Sequence, residues 1–138
     1  MKKTMISMAA AAALFILMVG ISSCEKDEGK LPNISFKTTA GCTSADKTVA
    51  AGDTVLVGIN ASKSEEEDVL KTFNISKSVD GGSSSTVQNV TLTTAQQDTY
   101  TQDFQLVAGA AGHTEKYTFT VSNRDGLTNS LNVTLTVQ

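Results

Sequence analysis

Tryptophan is absent from this 138-residue chain, proline and histidine occur once each, cysteine twice, and aromatic residues make up only 5% of it. Each scarcity removes a class of function. A zinc site draws on three or four nitrogen or sulfur ligands, and His113, Cys24 and Cys42 are the whole supply, so no metal is expected. A disulfide framework needs several cysteine pairs; a Cys24–Cys42 bridge could only staple the flexible start of the chain. Catalysis by a thiol would need Cys42 and His113 to meet across about 70 residues. No other nucleophile with a base, and no acid–base pair, stands in the sequence, so neither enzymatic activity nor a cofactor is expected and Cys42 reads as a small, half-buried residue.

Positive charge is scarce too. From Cys24 onward, nine Lys and Arg face fourteen Asp and Glu, a net charge near −5. Nucleic acid is excluded as a partner, because its binding needs a basic patch that displaces counterions. An anionic lipid surface is likewise not attracted by charge.

Long apolar runs are missing except for one. Lys2 and Lys3 precede Ile6 to Ile21, almost unbroken in apolar residues, and the run ends in Ser22 and Ser23. That is the layout of an export signal, and its 16 residues fall short of the roughly 20 that a membrane-spanning helix needs. The stretch "ISSC", Ile21 to Cys24, resembles a lipobox, where a bacterial lipoprotein precursor is cut before a lipid-bearing cysteine. Its Ile21 and Ser23 depart conservatively from the commonest Leu and Gly or Ala. The resemblance implies cleavage after residue 23, two or three acyl chains on Cys24, and durable anchoring, since one chain alone is marginal. "EKDEG", which follows, resembles the acidic signal that sends some lipoproteins to the outer face of the outer membrane. It implies display at the surface, with the periplasmic face as the alternative. Residues 24–32 then form a hydrophilic tether that ends where Pro32 favours an extended entry.

Thr, Ser, Val and Asn dominate what remains, a composition suited to strands and their turns. Period-two alternation recurs at Ile34 and Phe36; Val55, Val57 and Ile59; Phe73 and Ile75; Val90 and Leu92; Tyr100, Phe104 and Leu106; Tyr117, Phe119 and Val121; and Leu131, Val133, Leu135 and Val137. Seven or eight short strands separated by turn residues indicate a sandwich or barrel over residues 33–138. The last two strands fix their own register. Keeping both apolar sets inward requires paired residue numbers with an even sum, which a three-residue loop, Arg124 to Gly126, supplies. It pairs Phe119 with Leu131 and Tyr117 with Val133, and Gly126 takes the left-handed position that closes such a loop.

The segment "YTFTVSNRDGLTNSLNVTLTV" resembles the final hairpin of bacterial immunoglobulin-like domains, including the polycystic-kidney-disease type. The resemblance implies an all-β, immunoglobulin-like antiparallel β-sandwich of seven or eight strands. It carries no activity of its own.

Within that frame, "SEEEDVLK" holds the densest charge. It lacks the loop spacing and turn glycine of a calcium site. Ser64 with Glu67 three residues on reads as a capping box, and predicts one helical turn before a strand at Thr72. "VDGGSSSTV" reads as a long turn. In an immunoglobulin-like sandwich, the connection bearing Glu65, Glu66, Glu67 and Asp68 lies at the same end as the loop of Arg124 and Asp125. These six residues are the candidate contact surface for a ligand or partner, expected at the end far from the tether. "DTV" resembles a short bacterial O-glycosylation motif, which implies Thr54 as an acceptor. The whole reads as a binding or accessory module on the cell surface, resembling lipoproteins of glycan-uptake systems, with a glycan, a host protein or an outer-membrane complex as partner. The alternative is a structural spacer or an adhesin-type assembly subunit.

Mass spectrometry of the N-terminal peptide of the membrane-extracted protein is expected to show Cys24 as the first residue, bearing acyl chains. An unmodified peptide that begins upstream would sink the lipobox reading.

Overall fold

A computed structural model of the protein describes residues 29–138, so the signal segment, Cys24 and the first tether residues lie outside the described residues. Eight strands follow in chain order: β1 Asn33–Phe36, β2 Lys47–Val49, β3 Thr54–Ser62, β4 Leu70–Val79, β5 Ser85–Thr91, β6 Thr99–Val107, β7 Thr114–Asn123 and β8 Thr128–Val137. A single 3₁₀ turn, Thr94–Gln96, joins β5 to β6. The alternation that marks these segments puts one row of apolar side chains on one face of each strand, and two sheets bury those faces against each other.

One sheet has the order β1-β3-β6 and the other β2-β8-β7-β4-β5. The chain therefore starts in the small sheet, crosses to the large one at β2, and returns at β3. Every pairing is antiparallel except β2 with β8, which run parallel over Lys47 to Val49. The protein is an all-β, immunoglobulin-like sandwich, with that one parallel pair where the start of the chain meets its last strand. No hairpin can make such a pair, because parallel neighbours need a long connection.

Six of the chain's seven aromatic residues lie in this domain, and five of them form one cluster across the gap between sheets. Phe73 of β4 stacks on Phe104 of β6 at 5.3 Å between ring centroids and lies 5.1 Å from Tyr100. Phe119 of β7 sits 6.1 Å from Phe104 and takes Phe36 of β1 edge-on at 6.1 Å. These are spacings at which ring quadrupoles add to burial. Ile59, Leu70, Val121 and Leu135 are among the aliphatic residues that fill the remaining interior.

The last hairpin follows the register its loop length dictates. Phe119 pairs with Leu131 and Tyr117 with Val133. Gly126 has φ +81°, and the Asn123 N–H donates to the Leu127 carbonyl at 3.0 Å to close the loop.

Two local expectations are corrected. Ser64 to Asp68 forms a hydrogen-bonded turn, not a turn of helix: the Asp68 N–H donates to the Glu65 carbonyl at 3.2 Å. The Ser64 hydroxyl donates to the Leu31 carbonyl in place of capping a helix. Tertiary bonds outbid the local capping pattern there, and a related pattern is used at the 3₁₀ turn. In that turn the Gln96 carboxamide oxygen accepts from the Thr93 N–H and hydroxyl, both at 3.0 Å. The glycine–serine turn is also shorter than its composition suggests, because β5 already begins at Ser85. A bulge then adds Val87 to β5, since Ile75 pairs with Gln88 while Ser76 pairs with Thr86.

Replacing Phe119 by Ala removes the ring that touches both sheets. It is expected to cost about 3–5 kcal/mol of stability in chemical denaturation, whereas Val87→Ala, on the exposed bulge, should stay within about 0.5 kcal/mol.

Candidate functional site

Strand direction sorts the loops into two ends. β1 enters beside the end of β3, Asn33 opposite Ser62, so the chain arrives at the end that carries the Ser64–Asp68 turn and the β7–β8 hairpin loop. The arrival is stitched. Asn123 Nδ2 donates to the Lys30 carbonyl at 3.3 Å and Asn129 Nδ2 to the Pro32 carbonyl at 2.9 Å, while Glu65 Oε2 accepts the Lys30 N–H at 3.3 Å. Pro32 is fully buried. The last three tether residues, Lys30, Leu31 and Pro32, are therefore bonded to the sandwich.

The six candidate contact residues are brought to this one end, and they divide there. Asp68 is 3% exposed and spent on structure: its Oδ1 accepts the Val69 N–H and its Oδ2 accepts Asn123 Nδ2, both at 2.7 Å. Glu65 faces Lys30, Nζ to Oε1 at 3.7 Å. Glu66, Glu67, Arg124 and Asp125 are exposed, and Arg124 Nε reaches Asp125 Oδ1 at 3.5 Å. The surface they form adjoins the tether, and so is the near end of the sandwich, contrary to the expectation of a far one. Asn123 is the hub, since its Oδ1 also accepts the Leu127 N–H at 2.8 Å.

Ionic groups at the opposite end were not legible as a cluster. Glu115 is 3% exposed yet bonded on every side: Lys77 Nζ lies 2.6 Å from its Oε1, the Gly109 N–H donates to the same oxygen at 3.1 Å, and the Tyr117 hydroxyl donates to Oε2 at 3.0 Å. A side chain on Gly109 would strike that carboxylate. Burial alone would lower the Lys77 pKa, but its bonds to Glu115 and Tyr117 outweigh this, so the ammonium is held above its ordinary value. Burial also pushes the Tyr117 hydroxyl up. The Glu115 carboxylate accepts from three partners, and the cluster plugs the end of the core. The signal was Glu115 at inward parity with Tyr117 and Phe119.

At the same end Asp80, with φ +51°, accepts the Thr114 N–H at 2.8 Å and meets His113 Nδ1 at 2.6 Å. The Thr114 bond first, then His113, lowers the Asp80 pKa. The clasp therefore holds above the usual carboxylate range and is lost as pH falls through that lowered value. His113 is committed there, and the sulfur of Cys42, half-exposed in the β1–β2 connection, accepts from the Thr39 hydroxyl at 3.4 Å. Thr54, the first residue of β3, is exposed. No group of three or more His, Cys, Asp or Glu able to hold a metal occurs among the described residues.

The third feature lies on a flank. Among the described residues β5 and β6 each pair on one side only, and between them runs a groove of about 500 Å³. Its floor includes Val90, Phe104 and Leu106, with Gln96 of the 3₁₀ turn lining it as well. Gln88 and Gln102 stand on the inward faces of the two strands, paired with the core residues Ile75 and Ile59, yet both are exposed.

With the fold and these surfaces in place, the protein is of the immunoglobulin-like sandwich class. No protein-family model matches the chain, and none of the curated proteins matches its sequence. Among solved structures, superoxide reductase (neelaredoxin) from Ignicoccus hospitalis aligns over 79% of this chain and 81% of its own, with 10% identity and a TM-score of 0.51. A single-substitution variant of it aligns over 78% and 80%, with 11% identity and a TM-score of 0.54. The CARDB domain of a Pyrococcus furiosus protein covers 78% of this chain and 90% of its own at 10% identity, and its TM-score of 0.45 adds no weight. At such identities the first two show a shared fold alone.

Asn123→Ala leaves the buried Asp68 without its side-chain partner and frees the Lys30 carbonyl. A stability loss of about 1–3 kcal/mol is expected, with faster hydrogen exchange confined to the tether end.

Proposed function

We propose that the protein is a non-catalytic binding module, held at the outer membrane by lipid on Cys24 and displayed at the cell surface. The observation that carries this reading is the stitched entry. Gly29 follows Cys24 by five residues, which reach at most about 17 Å when extended, and the residues after it are bonded to one end of the sandwich. A lipid on Cys24 would therefore fix that end toward the membrane. Its exposed Glu66, Glu67 and Asp125 outnumber the exposed Arg124 and Lys30, so this end would gain little from an anionic surface. The loops at the other end and the β5–β6 flank would face outward, and a partner would bind there. Support for a non-catalytic role comes from the buried Glu115 and Asp68, whose bonds all go to structural partners.

Protease added to intact cells is expected to degrade the protein, and Cys24→Ala should move it out of the membrane fraction. Full protection in intact cells would place it on the periplasmic face, and a membrane-bound Cys24→Ala protein would remove the lipid anchor from the reading.

A further inference from the structure

We infer that the groove between β5 and β6 is a binding site for an extended, uncharged peptide strand of a partner protein. This goes beyond the anchoring reading and does not need it, since the groove stands whether or not Cys24 is modified.

The first argument is the misplacement of two glutamines. Inward positions along β6 are Tyr100, Gln102, Phe104 and Leu106, and along the second half of β5 they are Gln88 and Val90. Tyr100, Phe104 and Leu106 are buried, while Gln102 and Gln88 face solvent. Polar residues at core-facing positions are errors of pattern unless they have a use. Carboxamides offer both donors and an acceptor, the chemistry that reads a peptide backbone.

The second argument is the main chain. Among the described residues β5 and β6 each present an unpaired edge of N–H and C=O groups, and such edges are templates for an added strand. The other two sheet edges are poor ones: β1 has four residues, and β2 has three, including Lys47. β5 has seven, and residues 81–97 contain no charge and no proline, the usual blocks to strand addition.

Charge then selects the occupant. Among the described residues Asp103 is the only charged one lining the groove, and Lys37 neutralises it at 2.6 Å. A charged side chain entering this space would lose water without gaining a counter-ion, so the entering face of the strand is uncharged. An extended segment sends every second side chain into the floor, and a volume of about 500 Å³ is of the size that holds a ligand. A second copy of this chain could extend the sheet at β5 but could not enter between the sheets with a strand already paired. A glycan would want an open aromatic face, and Tyr100 and Phe104 are only 4% and 7% exposed.

The test uses the full-length protein in detergent micelles and a phage-displayed library of random twelve-residue peptides. Enriched peptides are expected to alternate apolar and polar residues with no charge on the apolar register. A synthetic copy of one should perturb backbone amides of β5 and β6, and its affinity should hardly change with salt. Gln102→Lys and Gln88→Lys, both on exposed positions and checked by unfolding midpoint, should each weaken binding about tenfold or more, the effect of burying one unpaired charge. Glu66→Lys should leave it unchanged. The inference is overturned by the absence of enrichment, or by amide changes confined to the Glu65–Asp68 and Arg124–Asp125 loops. Self-association abolished by Gln88→Lys without peptide binding would overturn it in favour of copy-to-copy pairing. Neutral polysaccharide binding lost in Gln102→Lys, again without peptide binding, would do so in favour of a glycan.

Discussion

Five aromatic rings meeting between the two sheets set the terms for everything else in this sandwich. With no tryptophan and no disulfide among the described residues, Phe36, Tyr100, Phe73, Phe104 and Phe119 form the aromatic cluster that bridges the two sheets. Each ring fixes which face of its strand is inward, because side chains alternate with a period of two. A slip of one residue in β1, β4, β6 or β7 would send a ring to solvent and bring Ser, Thr, Asn or Gln into the interior. The aliphatic rows, such as Val55, Val57 and Ile59, then follow the phase the rings impose, and the loops take whatever length keeps that phase.

Phase alone does not close the ends of the sandwich, where apolar rows run out and backbone groups would be left bare. Two polar devices close them. At the tether end, Asn123 ties Asp68, Lys30 and Leu127 together. At the other end, Glu115 gathers Lys77, Gly109 and Tyr117. Both anchors sit on β7, at or next to its two termini, and β7 is flanked by β8 and β4 at the centre of the larger sheet. A buried charge or amide is costly unless all its bonds are made, and among the described residues no buried side-chain polar atom lacks a partner.

How much of this could be read beforehand follows from which signals are local. The strands with clean alternation were legible, and the final hairpin was legible down to its register, because loop length and parity constrain each other and Gly126 can supply the positive φ. β2 was not, since three residues show no period and its partner lies at the other end of the chain. The start of β5 was hidden because Ser85 to Asn89 is exposed on both faces, so no alternation exists to be seen. Ser64 and Glu67 misled for a different reason: their capping pattern is local, and the Leu31 carbonyl that claims the Ser64 hydroxyl is 33 residues away. The six candidate contact residues were correctly grouped at one end, but their position relative to the tether depended on hydrogen bonds that no sequence pattern announces.

Polar residues at inward positions are the most informative departures from the pattern, and they are of two kinds. Glu115 and Asn123 are buried and fully bonded, so their polarity serves the fold, and replacing them would be felt as lost stability. Gln88 and Gln102 are exposed, lie on facing free edges, and serve nothing within the described residues beyond a bond from Gln102 Nε2 to the Asp103 carbonyl at 3.2 Å. An apolar residue at Gln102 would complete the row of Tyr100, Phe104 and Leu106, and one at Gln88 would extend that of Val90, each adding a greasy strip to an edge of the kind most prone to indiscriminate pairing. Glutamine avoids that outcome while keeping the edge free of charge. Lysine, the commoner protection, would have closed the groove to a neutral strand as well as to an unwanted one.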